Sequence, residues 1–205
     1  MSVKGLLLAM MEPPAGFEEE FHDWYDSEHV PERMTVVGFE TGQRFVCVSG
    51  WPRYLALYDL TTLDVLGSPE YQQAAGSKAS PWTRRVRTKV MGSYRFTGTQ
   101  VYPGGANLAA QGATTQLMLL RFRQVKAQDE GTILKGLKMN FADRESVNQV
   151  RLFKAEDTLS YIAAIEFSSP VETQEMVPQS FGPLIRKLDL VNTYVAYSRT
   201  NFNNK

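Results

Sequence analysis

The sequence predicts an α+β fold built from two tandem β-α-β-β-α-β units. Three observations carry that expectation. Strand-like and helix-like runs follow the same order twice along 205 residues. At a constant offset of 107, Arg44-Phe45 faces Arg151-Leu152, Tyr54-Leu55-Ala56 faces Tyr161-Ile162-Ala163, and Asp59-Leu60 faces Glu166-Phe167; strand one matches at 112. Between the halves runs Thr97 to Ala113, whose Pro103-Gly104-Gly105 and Gly112 mark a linker. The first unit is placed at 1–100 and the second at 113–205. Such a unit covers one sheet face with its helices and leaves the other bare. Two units packed sheet to sheet therefore enclose an intrachain α+β barrel.

Gly5 to Met11 has strand length, with Pro13-Pro14 as a stop signal. Phe17 to Met34 fits a helix, because Phe17, Phe21, Trp24 and Glu28 fall on one stripe at about 100° per residue. Pro31 is expected to end or kink it, since the residue before a proline is pushed out of the α region. Arg44 to Val48 and Tyr54 to Leu60 read as strands joined by Ser49-Gly50-Trp51-Pro52. A weaker helix is expected from Asp64 to Ala75, then a strand from Val86 to Phe96. The second half repeats the order. Gln116 to Phe122 reads as a strand, and Asp129 can cap a helix running to about Phe141. Val150 to Phe153 and Tyr161 to Phe167 are strands, Pro170 to Met176 and Phe181 to Lys187 helical candidates, and Leu190 to Ser198 the closing strand.

Composition excludes several classes. Lys plus Arg and Asp plus Glu both total 22, so the formal net charge is zero and no basic stripe points to nucleic acid or an anionic membrane. Cys47 is the single cysteine, which removes an intrachain disulfide framework and a multi-cysteine metal site. In a strand pattern it reads as a small buried hydrophobe. The apolar run after Met1 is short and meets Glu12-Pro13-Pro14 without a small-x-small cleavage site, so a cytoplasmic protein is expected. G-x-S-x-G, P-loop and dinucleotide-binding glycine patterns are absent, as is HExxH.

The chemistry concentrates in the first unit. Both histidines of the chain, His22 and His29, lie on its first helix, whereas Glu130 to Phe141 has none. Seven residues are nearly two α-helical turns, so the two imidazoles are expected on one face, with Tyr25 and Asp26 between them. His22, Asp26 and His29 offer two imidazoles and a carboxylate, but His22 and His29 lie about 10 Å apart along the axis, too far to share one ion. No metal and no cofactor are expected. Glu28 continues the apolar stripe, so it is an acid/base group (or an orienter of one), a partner in a buried structural pair, or a carboxylate receiving hydrogen bonds from a nearby loop. His29, at the helix end, is a candidate proton carrier at neutral pH.

The run Asp23-Trp24-Tyr25-Asp26-Ser27-Glu28-His29-Val30-Pro31-Glu32-Arg33, followed by Gly38-Phe39 and Arg44-Phe45, resembles a segment of the dimeric α+β barrel superfamily, within it the EthD-like proteins. Arg53 to Leu60, Ser68 to Tyr71 and Pro81-Trp82-Thr83-Arg84 resemble its continuation. The resemblance covers roughly residues 1–96; the second half matches only as a repeat. It implies ferredoxin-like units paired into a barrel, with a pocket between sheet and helices. It also implies chemistry on small hydrophobic, often aromatic or lactone-like molecules. Carried over, the matching positions are Trp24, Tyr25, Glu28, His29, Arg44, Tyr58 and Trp82. Because the second unit lacks the Glu-His-Pro motif, one site is expected.

The leading expectation is a cofactor-independent lyase, isomerase or cyclase acting on a small aromatic, lactone or polyketide-like carbonyl compound. His29 moves a proton, Glu28 fixes its tautomer or shares the proton, and Tyr25 or Arg44 steadies the enolate oxygen. His22, Trp24, Tyr58 and Trp82 line the substrate's pocket. The alternatives are a cofactor-free monooxygenase of a phenolic substrate and a non-catalytic small-molecule binding or accessory protein. The partner expected is thus a small hydrophobic substrate, with neither nucleic acid nor membrane. A homodimer of the fused chain stays open.

Overall fold

Eight runs of apolar and β-branched residues become eight strands. In the first unit they are β1 (Gly5–Glu12), β2 (Phe39–Ser49), β3 (Tyr54–Leu60) and β4 (Met91–Tyr102). In the second they are β5 (Gln116–Arg123), β6 (Val147–Ala155), β7 (Ser160–Phe167) and β8 (Leu188–Ala196). The computed structural model describes residues 3–109, 113–156, 158–172 and 176–197. Gly112 of the expected linker, part of the helical candidate Pro170 to Met176, and Ser198 lie outside the described residues, as do the outermost residues of both expected units.

All pairings are antiparallel, and the strands close into one barrel in the order β1-β3-β2-β8-β5-β7-β6-β4. The same order, fourth-first-third-second, occurs in each unit, so these are two ferredoxin-like sheets. Their outer strands meet at two seams, β2 with β8 and β4 with β6. Closure leaves no unpaired strand edge in the barrel. Side chains alternate along each strand. One set, including Leu6, Leu8, Phe45, Leu57, Leu119, Phe153, Ile162 and Tyr194, fills the barrel. The opposite faces pack under separate helical layers, with Phe21, Trp24 and Tyr58 in unit one and Phe122, Leu137 and Phe181 in unit two.

The repeat register needs one correction. Leu57 and Ala164 hold the offset of 107 as partners of Leu8 and Leu119, so strand one matches at 111, not 112. Arg44 pairs with Ala56, but Arg151 pairs with Ala164, one residue beyond the expected match. A one-residue slip reverses the face on which a strand residue lies. Arg44 therefore faces the helices of unit one, while Arg151 is sealed inside, bonded through one guanidinium nitrogen to Asp59 at 2.6 Å and lying 3.2 Å from Glu166. The linker straps this end of the barrel. Backbone N–H groups of Leu108 and Ala109 donate to Asp59 and Glu166, and Thr41, Thr114 and Gln149 donate to the same carboxylates.

The helices differ from expectation in five places. Pro31 does not end the first helix: α1 (Glu18–Trp24) passes through a π-helical turn (Tyr25–His29) into α2 (Val30–Met34). A proline ring clashes with the carbonyl of residue i−4 in a regular helix, and the wider turn just before Pro31 makes room for it. Asp64 to Ala75 divides into a 3₁₀ turn (Leu63–Gly67) and α3 (Pro69–Gln73). Val86 to Lys89 is helical rather than extended. It belongs to α4 (Pro81–Lys89), whose start is set by the Ser80 side chain accepting from Thr83 N and by Pro81 in the first turn. In unit two, α5 (Glu130–Phe141) forms without a side-chain cap from Asp129. Phe181 to Lys187 lies in 3₁₀ turns (Pro178–Lys187) broken at Gly182. Gly136 of α5 lets Phe181 approach so closely that a Cβ there would lie 2.3 Å from its ring. No helix of the described residues is long and apolar enough to cross a membrane.

Candidate functional site

The apolar stripe of α1 seats Phe21 and Trp24 against the outer face of β3, and this packing fixes the chain that carries both histidines. In unit one it leaves a cavity of about 510 Å³ between β1, β3 and β4 on one side and the helices on the other. Trp24, His29 and Tyr58 line it, together with Arg33, Tyr71, Thr83, Arg87 and Arg95. Tyr25 stands behind His29, with ring centroids 5.4 Å apart. Glu28, Arg44, His22 and Trp82 do not line it.

The two histidines part company at the π turn. More residues per turn than 3.6 rotate His29 away from the face of His22. His22 is buried, with one ring nitrogen 2.8 Å from Arg44 and the other 3.3 Å from the Tyr54 hydroxyl, and it stacks on Tyr197. Arg44 is buried too, pairing with Asp26 and lying over the rings of Tyr25 (4.4 Å) and Tyr197 (4.3 Å). Tyr197 follows β8, so the second unit completes this cluster across the β2–β8 seam.

His29 stacks on the Trp24 indole at 4.3 Å, and its Nδ1 is buried with no hydrogen-bond partner. Burial first, then the positive charges of Arg33, Arg87 and Arg44, push its pKa down to about 3, so the ring is neutral at pH 7. Two other cavity residues also carry a buried polar atom with no partner: one terminal nitrogen of Arg33 and the Tyr58 hydroxyl. The Arg33 side chain is 5% exposed, donates to Ala74 O at 2.8 Å, and lies over the Tyr71 ring. Burial raises the pKa of Tyr58 well above its usual value and pushes Tyr25 up to about 12, so both phenols keep their protons.

Glu28 takes the loop-capping place. It accepts from Ser80 Oγ and Thr83 Oγ1 at the start of α4 and makes no hydrogen bond to His29. It reaches His29 only indirectly: Thr83 also accepts from the Trp24 indole N–H at 2.9 Å, and Trp24 is the plate on which His29 stacks. The residues that sequence reasoning missed are Arg33, Tyr71, Arg87 and Arg95. Arg33 had a signal, since it lies four residues after His29, a helical neighbour on the same face.

No family model and no curated protein matches the chain. Solved structures do. An anthrone oxidase-like protein superposes with a TM-score of 0.68 at 12% identity, covering 97% of this chain and 92% of that one. A mutant chlorite dismutase from Candidatus Nitrospira defluvii, in complex with cyanide, gives 0.60 at 10% identity, covering 96% and 92%. A heme-binding protein from Thermus thermophilus gives 0.54 at 10% identity, covering 97% and 92%. The chain shares with them an α+β barrel fold of two ferredoxin-like units. Both units of the barrel enter these superpositions, which show the fold alone at such identities.

Neither histidine is arranged as a haem-iron ligand. A ligating histidine almost always hands its second ring N–H to a carboxylate, carbonyl or water. His29 Nδ1 has no such partner, and its ring is held flat against Trp24. His22 spends both nitrogens on Arg44 and Tyr54. The described residues also hold no group of three or more His, Cys, Asp or Glu side chains arranged for a metal ion.

Proposed function

We propose that this barrel is an enzyme for a small hydrophobic carbonyl or phenolic compound, with His29 as the proton-accepting base. The observation that carries the reading is the coincidence of three unsatisfied polar atoms, on His29, Arg33 and Tyr58, in residues lining one aromatic-walled cavity. Leaving such groups unpaired costs about 1–3 kcal/mol each, a cost that a bound oxygen can relieve. A neutral imidazole with a strongly lowered pKa is a poor base on its own. It becomes effective when the proton leaves an acid whose anion the guanidinium of Arg33 and the hydroxyl of Tyr58 stabilise at the same moment. Tyr25 and Arg44, expected to hold the enolate, stand behind that wall rather than on it. Returning the proton at a second atom completes an isomerisation, cyclisation or elimination.

A second reading has its own support. The same pocket suits a cofactor-free monooxygenase, in which the same anion passes electrons to dioxygen, and the fold is shared with an anthrone oxidase-like protein. Kinship with the EthD-like proteins rests on the Trp24-to-Arg33 motif. The test is exchange of the acidic C–H proton of candidate ketones in D₂O, followed by NMR, alongside an oxygen electrode with candidate phenols. His29→Gln is expected to lower turnover at least about 100-fold. Full exchange in that variant would discard His29 as the base. Oxygen uptake coupled to turnover would select the oxygenase reading over the lyase, isomerase or cyclase.

A further inference from the structure

The lining of the cavity is cationic. Acids and bases are equal in number over the whole chain, yet three arginines and no carboxylate line this cavity. Elsewhere arginines find acids: Arg53 pairs with Glu12 and Glu18, Arg85 with Glu20, Arg121 with Asp189, Arg44 with Asp26 and Arg151 with Asp59. Among the described residues, no ion pair includes Arg33, Arg87 or Arg95. The three are also graded by depth. Arg33 is buried with one nitrogen unpartnered, while Arg87 on α4 and Arg95 on β4 are exposed and so mark the mouth. Between them the wall is aromatic, with Trp24, Tyr58 and Tyr71.

We infer that the ligand of this cavity is an aromatic carboxylate, its ring inside against Trp24 and Tyr71 and its carboxylate met by Arg87 and Arg95 at the mouth. The inference rests on the proposed site and names its substrate class. A carboxylate is the complement that a planar guanidinium fork recognises best. Its permanent charge supplies affinity at the mouth, which leaves Arg33 and Tyr58 to the oxygen that becomes anionic during the reaction. Two exposed cations also steer an anionic ligand, so association should weaken as salt screens them.

Calorimetry with three probes of one shape, 2-naphthoate, its methyl ester and 2-naphthol, tests this on the full chain. The expected result is that 2-naphthoate binds at least about tenfold tighter than the ester, a preference that shrinks at high salt. Arg87→Met and Arg95→Met, both at exposed positions, are each expected to reduce that preference while leaving ester binding unchanged. Equal affinity of acid and ester, or a preference that survives both substitutions, overturns the inference. A preference for 2-naphthol overturns it as well but leaves the proton-transfer reading standing. That reading is judged separately: His29→Gln should abolish proton exchange without altering the acid-to-ester ratio.

Discussion

His29 is half-buried, with its Nδ1 enclosed, and stands beside cations that favour the neutral ring. Its pKa in the folded protein, about 3, lies below the roughly 6.5 of an unfolded chain. Between those values the unfolded state binds more protons. The contribution of His29 to stability is therefore complete above about pH 6.5 and is lost as pH falls toward 3. Urea midpoints at pH 7.5 and 4.5 should show wild type losing stability on acidification, and His29→Gln losing less. An imidazole ¹⁵N titration should find His29 neutral throughout pH 5–8. Of the candidate site, Trp24 and His29 were legible because an aromatic stripe and a histidine at a helix end are visible in sequence, whereas Tyr58 was assigned only through the family resemblance. Arg33 was not assigned, because a charged residue on a helix reads as solvated until the fold shows that Ala74 and Tyr71 receive it.

Between α1 and α2, the π turn decides which histidine meets the cavity. Sequence periodicity could not reveal it, since an apolar stripe computed at 3.6 residues per turn continues smoothly through Glu28. The same turn carries Glu28 to the start of α4, where it holds Ser80 and Thr83. Glu28→Ala and Ser80→Ala are each expected to cost about 1 kcal/mol of stability, measured by chemical denaturation. Glu28→Gln, which can still accept from both hydroxyls, should keep turnover within about threefold of wild type. A loss as deep as that of His29→Gln would instead restore Glu28 to the chemistry. Helix α4 itself escaped sequence reading because Val86, Thr88, Val90, Tyr94 and Phe96 alternate with Arg87, Lys89, Ser93 and Arg95, the pattern of a strand. The helix starts at the local cap Ser80-Pro81 and ends at Val90, whose backbone is already extended.

At the scale of the molecule, the tandem order of strands was readable from the repeat, but the slip that sends Arg44 outward and Arg151 inward was not. A repeat offset carries no information about which strand residue a bulge skips. Arg151 now joins Asp59 from the first unit to Glu166 from the second in a dry interior. Arg151→Met removes the only cation of that trio and leaves two buried carboxylates, so a loss of about 3–5 kcal/mol is expected by urea denaturation. Expressed alone, residues 1–100 would expose the edges of β2 and β4. Size-exclusion chromatography should then show self-association rather than a folded monomer.

The strap from Pro103 to Ala109 has no regular secondary structure, and such segments ordinarily exchange their amide protons quickly with solvent. Here the Leu108 and Ala109 N–H groups are held by the buried carboxylates of Asp59 and Glu166, one from each half. Deuterium can reach them only when the trio with Arg151 comes apart. In an exchange experiment these two loop amides should therefore be protected as long as the central strands, and report the opening of the whole barrel.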